Sequence, residues 1–150
     1  MAKAGHNTLG AERRKARHYG MQALYQWYMA QAPLADIEAE FLEDYDFAHV
    51  DTEYFHDLLH SVPARVEALD AAMAPYLDRP LSELDPIEHT LLRIGLYELT
   101  GRVDVPFKVV INEAVALAKK FGATDSHKFV NGVLDRAARD LRKVETDAAS

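Results

Sequence analysis

Apolar positions recur at helical spacing along the whole chain, and no alternating run bounded by turn residues suggests a strand. The pattern predicts an all-α fold, a compact single-domain bundle of about six to seven helices. A first helix is expected from about Glu12 to Gln31, closed by Pro33. It should turn Ala16, Tyr19, Ala23, Leu24, Trp27 and Ala30 inward and leave Arg13, Arg14 and Arg17 nearer solvent. Ile37, Phe41, Leu42 and Tyr45 mark a short second helix. Asp51 can cap a third, which carries Tyr54, Phe55, Leu58, Leu59 and Val62. Pro63 must kink or restart that helix, because proline lacks a backbone donor and clashes one turn back. A further piece bearing Val66, Leu69 and Met73 ends near Pro75.

The sharpest local signal is Asp85-Pro86-Ile87-Glu88. Asp85 can accept backbone N–H bonds as an N-cap, Pro86 suits the first helical position, and Glu88 is placed to complete a capping box. The helix that starts there carries Ile87, Leu91, Leu92, Ile94 and Leu99. It should stop at Gly101, which can turn left-handed. Because it is apolar over much of its girth, it is expected to be central. Pro106 opens a helix that buries members of the Val109, Val110, Ala114, Leu117 and Ala118 set and ends at Phe121-Gly122. The last helix begins near Asp125 or Ser126 and packs Val130, Val133, Leu134, Ala137 and Leu141, leaving a frayed tail.

A chain of 150 residues fits one domain, 1–150, with flexible ends expected at 1–11 and 145–150. No apolar run approaches the roughly 18 residues needed to cross a bilayer, and residues 1–11 lack the apolar centre of a signal peptide. A cytoplasmic protein is expected. The absence of cysteine excludes disulfides, thiolate nucleophiles and cysteine-based zinc sites. A net charge of −7 argues at first against a polyanionic partner, but its distribution changes the picture. Residues 1–32 carry five basic groups and one acid, residues 33–90 two bases and fifteen acids, and residues 91–150 ten bases and eight acids. Such a split suggests a basic N-terminal face and an acidic middle that repels RNA yet can meet a basic protein; an ordinary solvated surface is the plainer alternative.

Two stretches carry chemistry suited to nucleic acid. Arg13, Arg14, Lys15 and Arg17 crowd one helix start, where residues three or four apart share a face and forked guanidinium donors match phosphate oxygens. Farther along, Gln22 offers a base-edge donor and Tyr25 a stacking ring. The competing reading is a solvated basic face with Tyr25 in the core. At the start of the last helix, unpaired N–H groups and partial positive charge favour an anion near Asp125, Lys128 adds a cation, and Phe129 offers a flat ring to a base. An aromatic beside Val130 is more commonly core, yet Val130, Val133, Leu134 and Ala137 already make a stripe without it. His56 and His60, four apart, have a spacing zinc can use. Without a third ligand they read as exposed histidines and no metal is expected. No catalytic constellation or phosphate loop is present in the sequence, so neither an enzyme nor a cofactor is expected.

Three separated blocks, in order, resemble the NusB family of bacterial transcription antitermination factors. They are Arg13-Arg14-Lys15-Ala16-Arg17 followed by Gln22-Ala23-Leu24-Tyr25, then LDPIEHTLLRIGLYEL over residues 84–99, and VPFKVVINEAVALAKKFGATDSHKFVNGVLD over residues 105–135. Together they cover nearly all of residues 12–141. The resemblance implies a non-enzymatic adaptor in an RNA polymerase antitermination complex, binding boxA-type single-stranded RNA of nascent ribosomal transcripts. It implies RNA contact for Arg13, Arg14, Lys15 and Arg17, base stacking on Phe129, and a place for Asp125 beside the RNA. It also implies pairing with NusE, a small ribosomal protein, around the 84–99 helix, with Glu88 as the polar contact. The alternatives are a helical interaction module that never touches RNA, and the NusB-like part of a ribosomal RNA methyltransferase.

Overall fold

The computed structural model describes residues 2–149, with side chains from Leu9 onward. Eight α-helices follow one another with no strand among the described residues: α1 (Ala2–Ala30), α2 (Leu34–Asp44), α3 (Thr52–Ala64), α4 (Val66–Met73), α5 (Pro86–Gly101), α6 (Phe107–Phe121), α7 (Ser126–Leu141) and α8 (Lys143–Ala149). Short 3₁₀ turns at Ala74–Tyr76 and Leu81–Glu83 lead from α4 into α5. The count exceeds the six to seven expected because Pro63, in the last turn of α3, does restart the chain as a separate α4, and because the tail forms α8 instead of fraying. Of the ends expected to be flexible, 1–11 and 145–150, part falls outside the described residues; α1 begins at Ala2, ten residues before the expected start. Two compact units divide at this proline, residues 1–64 and 65–150.

In the first unit α1 packs against α3 and α2. Ala16, Ala23, Leu24, Ile37, Phe55, Leu58, Leu59 and Val62 are essentially sealed from solvent. Gly20 lets the α1 backbone approach Leu58, whose Cδ1 would stand 3.1 Å from an added Cβ. The start of α3 is fixed twice. The Asp51 carboxylate accepts from Tyr54 N at 3.0 Å, as its capping role predicts, and Asp51 N donates to Glu12 O at 3.1 Å. Left-handed backbone occurs at Gln31 (φ 55°), which turns the chain out of α1 before Pro33 starts α2.

In the second unit α5 is the central helix, packed by α4, α6 and α7, and it is buried from Glu88 to Leu99 with only Arg93 half-exposed. The N-cap is as expected, Asp85 accepting from Ile87 N at 3.0 Å and Glu88 N at 3.2 Å. Burial of Leu91, Leu92, Leu96 and Leu99 contributes roughly 1.5–3 kcal/mol per side chain. Gly95 brings α5 so close to α7 that an added Cβ would meet Leu134 Cδ2 at 2.7 Å. The expected left-handed stop at Gly101 does not occur. Gly101 stays helical and no described glycine has positive φ. Arg142, at the end of α7, instead donates to the carbonyls of Leu99 (2.8 Å), Glu98 (3.1 Å) and Arg102 (3.1 Å), covering the carbonyl end of the helix in place of a glycine turn. Gly101 serves close approach, since an added Cβ would lie 2.8 Å from both Arg65 Nη1 and Tyr97 Cε1. Glu145 in α8 accepts from Phe107 N at 2.9 Å and so caps α6, while Leu141, expected in the core, is exposed.

Candidate nucleic-acid interface

All six candidate residues of the first unit lie on α1, but the helix does not treat its cations alike. Arg13 and Arg17, one turn apart, both place their guanidinium groups over the Tyr54 ring, at 4.6 and 5.2 Å from its centroid. Arg13 Nε also lies 3.5 Å from the Asp51 carboxylate. Arg17 is only 4% exposed, a correction to its expected place near solvent. The physical reason is the long apolar stem, which follows the α1–α3 seam and lets a planar cation settle on an aromatic face, an arrangement worth about 0.5–2 kcal/mol. Arg14 and Lys15 are exposed. Gln22 and Tyr25 are half-buried, and Gln22 Nε2 donates to His18 O at 3.3 Å. Tyr54, which gathers two of the arginines, had no nucleic-acid signal in the sequence.

At the start of α7 the geometry depends on Ser126. Its hydroxyl donates to Glu88 Oε2 at 2.7 Å and accepts from Ala123 N at 3.1 Å, with the side chain almost fully buried. Glu88 thus does not close a capping box; its carboxylate, on a residue 9% exposed, turns to Ser126 and ties α5 to the turn that begins α7. Asp125 occupies the N-cap position without making a side-chain cap bond. It stays in solvent with Lys128, whose Nζ is 3.6 Å from its carboxylate. Phe129 is half-buried, outside the sealed stripe of Val130, Val133, Leu134 and Ala137. The Arg79 guanidinium lies over its ring, 4.4 Å from the centroid. Arg79 is held in turn by Asp78 (2.7 and 3.3 Å), and its donated hydrogen bond keeps the Asp78 carboxyl below the usual range. Arg79 went unnoticed in the sequence because it sits in an aperiodic segment fifty residues from Phe129, and nothing short of packing pairs them.

The first unit offers exposed cations on α1, and the second a half-buried ring with a guanidinium over it beside the exposed Asp125 and Lys128; each is chemistry suited to holding phosphates or unstacked bases. Several acids of the 33–90 segment are engaged internally. Asp51 and Asp85 cap helices, and Asp70 receives His89 and Arg93. Asp36, Glu40, Glu43, Asp44 and Asp46, on and just beyond α2, remain exposed. The histidine pair also differs from expectation, because α2 brings Glu38 to both His56 and His60. No described helix is long and apolar enough to cross a membrane.

The NusB family model matches residues 14–139. A transcription antitermination protein NusB of Teredinibacter turnerae is 61% identical over 140 residues, covering 93% of this chain and 95% of the relative. The protein of the same name from Pseudomonas entomophila is 54% identical over 147 residues, covering 98% and 89%. A solved structure of T. maritima NusB superposes with a TM-score of 0.75 at 30% identity, covering 90% of this chain and 96% of that one. With the family model spanning both candidate patches apart from Arg13 and the fold agreeing, the chain belongs to the NusB family.

Proposed function

We propose that this NusB-family chain is a transcription antitermination protein of the cytoplasm. In this reading it joins NusE, binds boxA in nascent ribosomal RNA, and helps hold RNA polymerase in a processive, termination-resistant complex. It acts by binding alone, without a cofactor. Arg14 and Lys15 meet phosphates from the exposed side of α1. Arg13 presents its guanidinium from the Tyr54 ring, Arg17 acts from beneath by packing on the same ring, and Gln22 and Tyr25 extend the contact along the helix. On the second unit Phe129 and Arg79 form a stacking platform, with Lys128 and Asp125 beside it to meet phosphate and base edges. The NusE contact lies around the start of α5, where Glu88 contributes through its ordering of the α7 turn as well as through what remains of its exposed edge. The exposed acids of α2 favour a basic protein partner.

The observation that carries this reading is the family match over residues 14–139, which spans every residue assigned to RNA except Arg13. Replacing Phe129 with alanine tests the RNA part. A base stacked on an aromatic ring is worth roughly 1–3 kcal/mol, so Phe129→Ala should weaken binding of a fluorescently labelled boxA-type RNA about ten- to hundredfold while leaving the thermal unfolding curve in place. Unchanged affinity would remove the stacking role, and a variant that unfolds would make the ring part of the core.

A further inference from the structure

We propose that Glu38, His56 and His60 form a binding site for a divalent transition-metal ion, with zinc as the fitting occupant, that clasps α2 to α3. His56 and His60 are separated by four residues on α3 and therefore share a face, their rings 4.2 Å apart between centroids and inclined at 33°. Glu38 reaches them from α2. One carboxylate oxygen lies 2.6 Å from His56 Nδ1 and the other 2.8 Å from His60 Nε2. One ligand atom from each residue falls within a cluster in which every pair is less than 4.8 Å apart. The spacing in sequence supplies two imidazoles, and the packing of α2 supplies the third ligand that spacing could not reveal.

The chemistry of the donor set narrows the occupant. Two neutral imidazoles and one carboxylate suit zinc and its borderline neighbours cobalt, nickel and copper, and they are a poor set for calcium or magnesium, which prefer all-oxygen cages. Zinc sits roughly 2.0–2.2 Å from such ligands, so donors on one tetrahedral ion stand about 3.4 Å apart. The present nitrogen–oxygen separations must widen by somewhat under an ångström. His56, with 58% of its side chain exposed, can swing to allow this, while Glu38, at 17%, is the fixed member. Three protein ligands leave a tetrahedral position to water on the exposed side.

The test uses the full chain without a histidine tag, titrated with zinc by calorimetry and with cobalt by visible absorption, followed by thermal unfolding with and without zinc. The expected result is one zinc per chain, cobalt bands of a low-coordinate site, and a raised unfolding temperature. His60→Ala and Glu38→Gln should each weaken zinc binding by more than about tenfold, since even outer-shell changes cost that much. Circular dichroism of the metal-free variants establishes that they are folded, and Glu38→Gln keeps the shape of the side chain while removing its charge. No saturable zinc uptake by the wild-type chain, or uptake that both folded variants leave unchanged, would overturn the site and leave a hydrogen-bonded clasp.

Discussion

Arg17 and Arg14 stand three residues apart in one basic run, yet the fold gives them different work. Arg17 is packed on Tyr54 and nearly sealed, whereas Arg14 is exposed. Arg17→Ala should therefore lower the stability of the chain by about 1–2 kcal/mol, read by chemical denaturation, through lost packing and a lost cation–π contact. Arg14→Ala should move the denaturation midpoint less than Arg17→Ala does and lower the salt slope of RNA binding by about 0.7, the share of one phosphate. A second residue-scale test lies in Asp70. Burial pushes its carboxyl up, but hydrogen bonds from Arg93 (2.8 and 2.9 Å) and His89 (2.8 Å), with the charge of both, bring it down to about 2. A carboxyl that is more acidic folded than unfolded adds stability above its unfolded value, near 3.8, and loses it as pH falls towards 2. After discounting for solvent at this partly exposed pair, the contribution is on the order of 1 kcal/mol. Asp70→Asn should be less stable than wild type at neutral pH, with the difference shrinking between pH 4 and 2 in acid titrations followed by circular dichroism. Caps at Asp51 and Asp85 were legible because they act on backbone two or three residues away. The burial of Arg17, the Glu88–Ser126 bond and the Arg79–Phe129 pair were not, because each joins residues 37 to 50 apart that only packing brings together.

Among the elements, α5 and α7 depend on close approach. Leu134 is fully buried and cannot retreat from a methyl group placed at Gly95, where it would meet the new Cβ at 2.7 Å. Gly95→Ala should thus destabilise the chain by about 1–3 kcal/mol despite the better helix propensity of alanine, measurable in denaturant midpoints. The corner between α7 and α8 makes a parallel case. Arg142 closes the carbonyl end of α5 and pairs with Glu145 at 2.6 Å, and Glu145 caps α6. Helical periodicity located all the helices from α1 to α7 within a few residues at most ends, since one apolar stripe per helix faces the core. It missed the early start of α1 and the existence of α8. Neither segment has an apolar stripe to announce it, and what fastens α8 is a side-chain cap contributed to a helix far upstream.

At the scale of the whole molecule, a chain of net charge −7 that is proposed to bind a polyanion would have to do so through local concentrations of positive charge. Part of the acidic middle is engaged within the protein, Asp51 beside Arg13, Asp70 with Arg93 and His89, and Glu38 with His56 and His60. Asp36, Glu40, Glu43, Asp44 and Asp46, exposed on and just beyond α2, would oppose RNA and favour a basic protein, so on the proposed function RNA affinity should be modest alone and rise with the partner. Fluorescence anisotropy of a boxA-type RNA titrated with the chain, with and without NusE, over a salt series would decide whether the protein is an RNA-binding adaptor. For the proposed adaptor, binding should tighten when NusE is present and weaken with salt by a log–log slope of about 0.7 per phosphate contact. RNA binding absent in both conditions while NusE association persists would contradict it and leave a helical protein-interaction module.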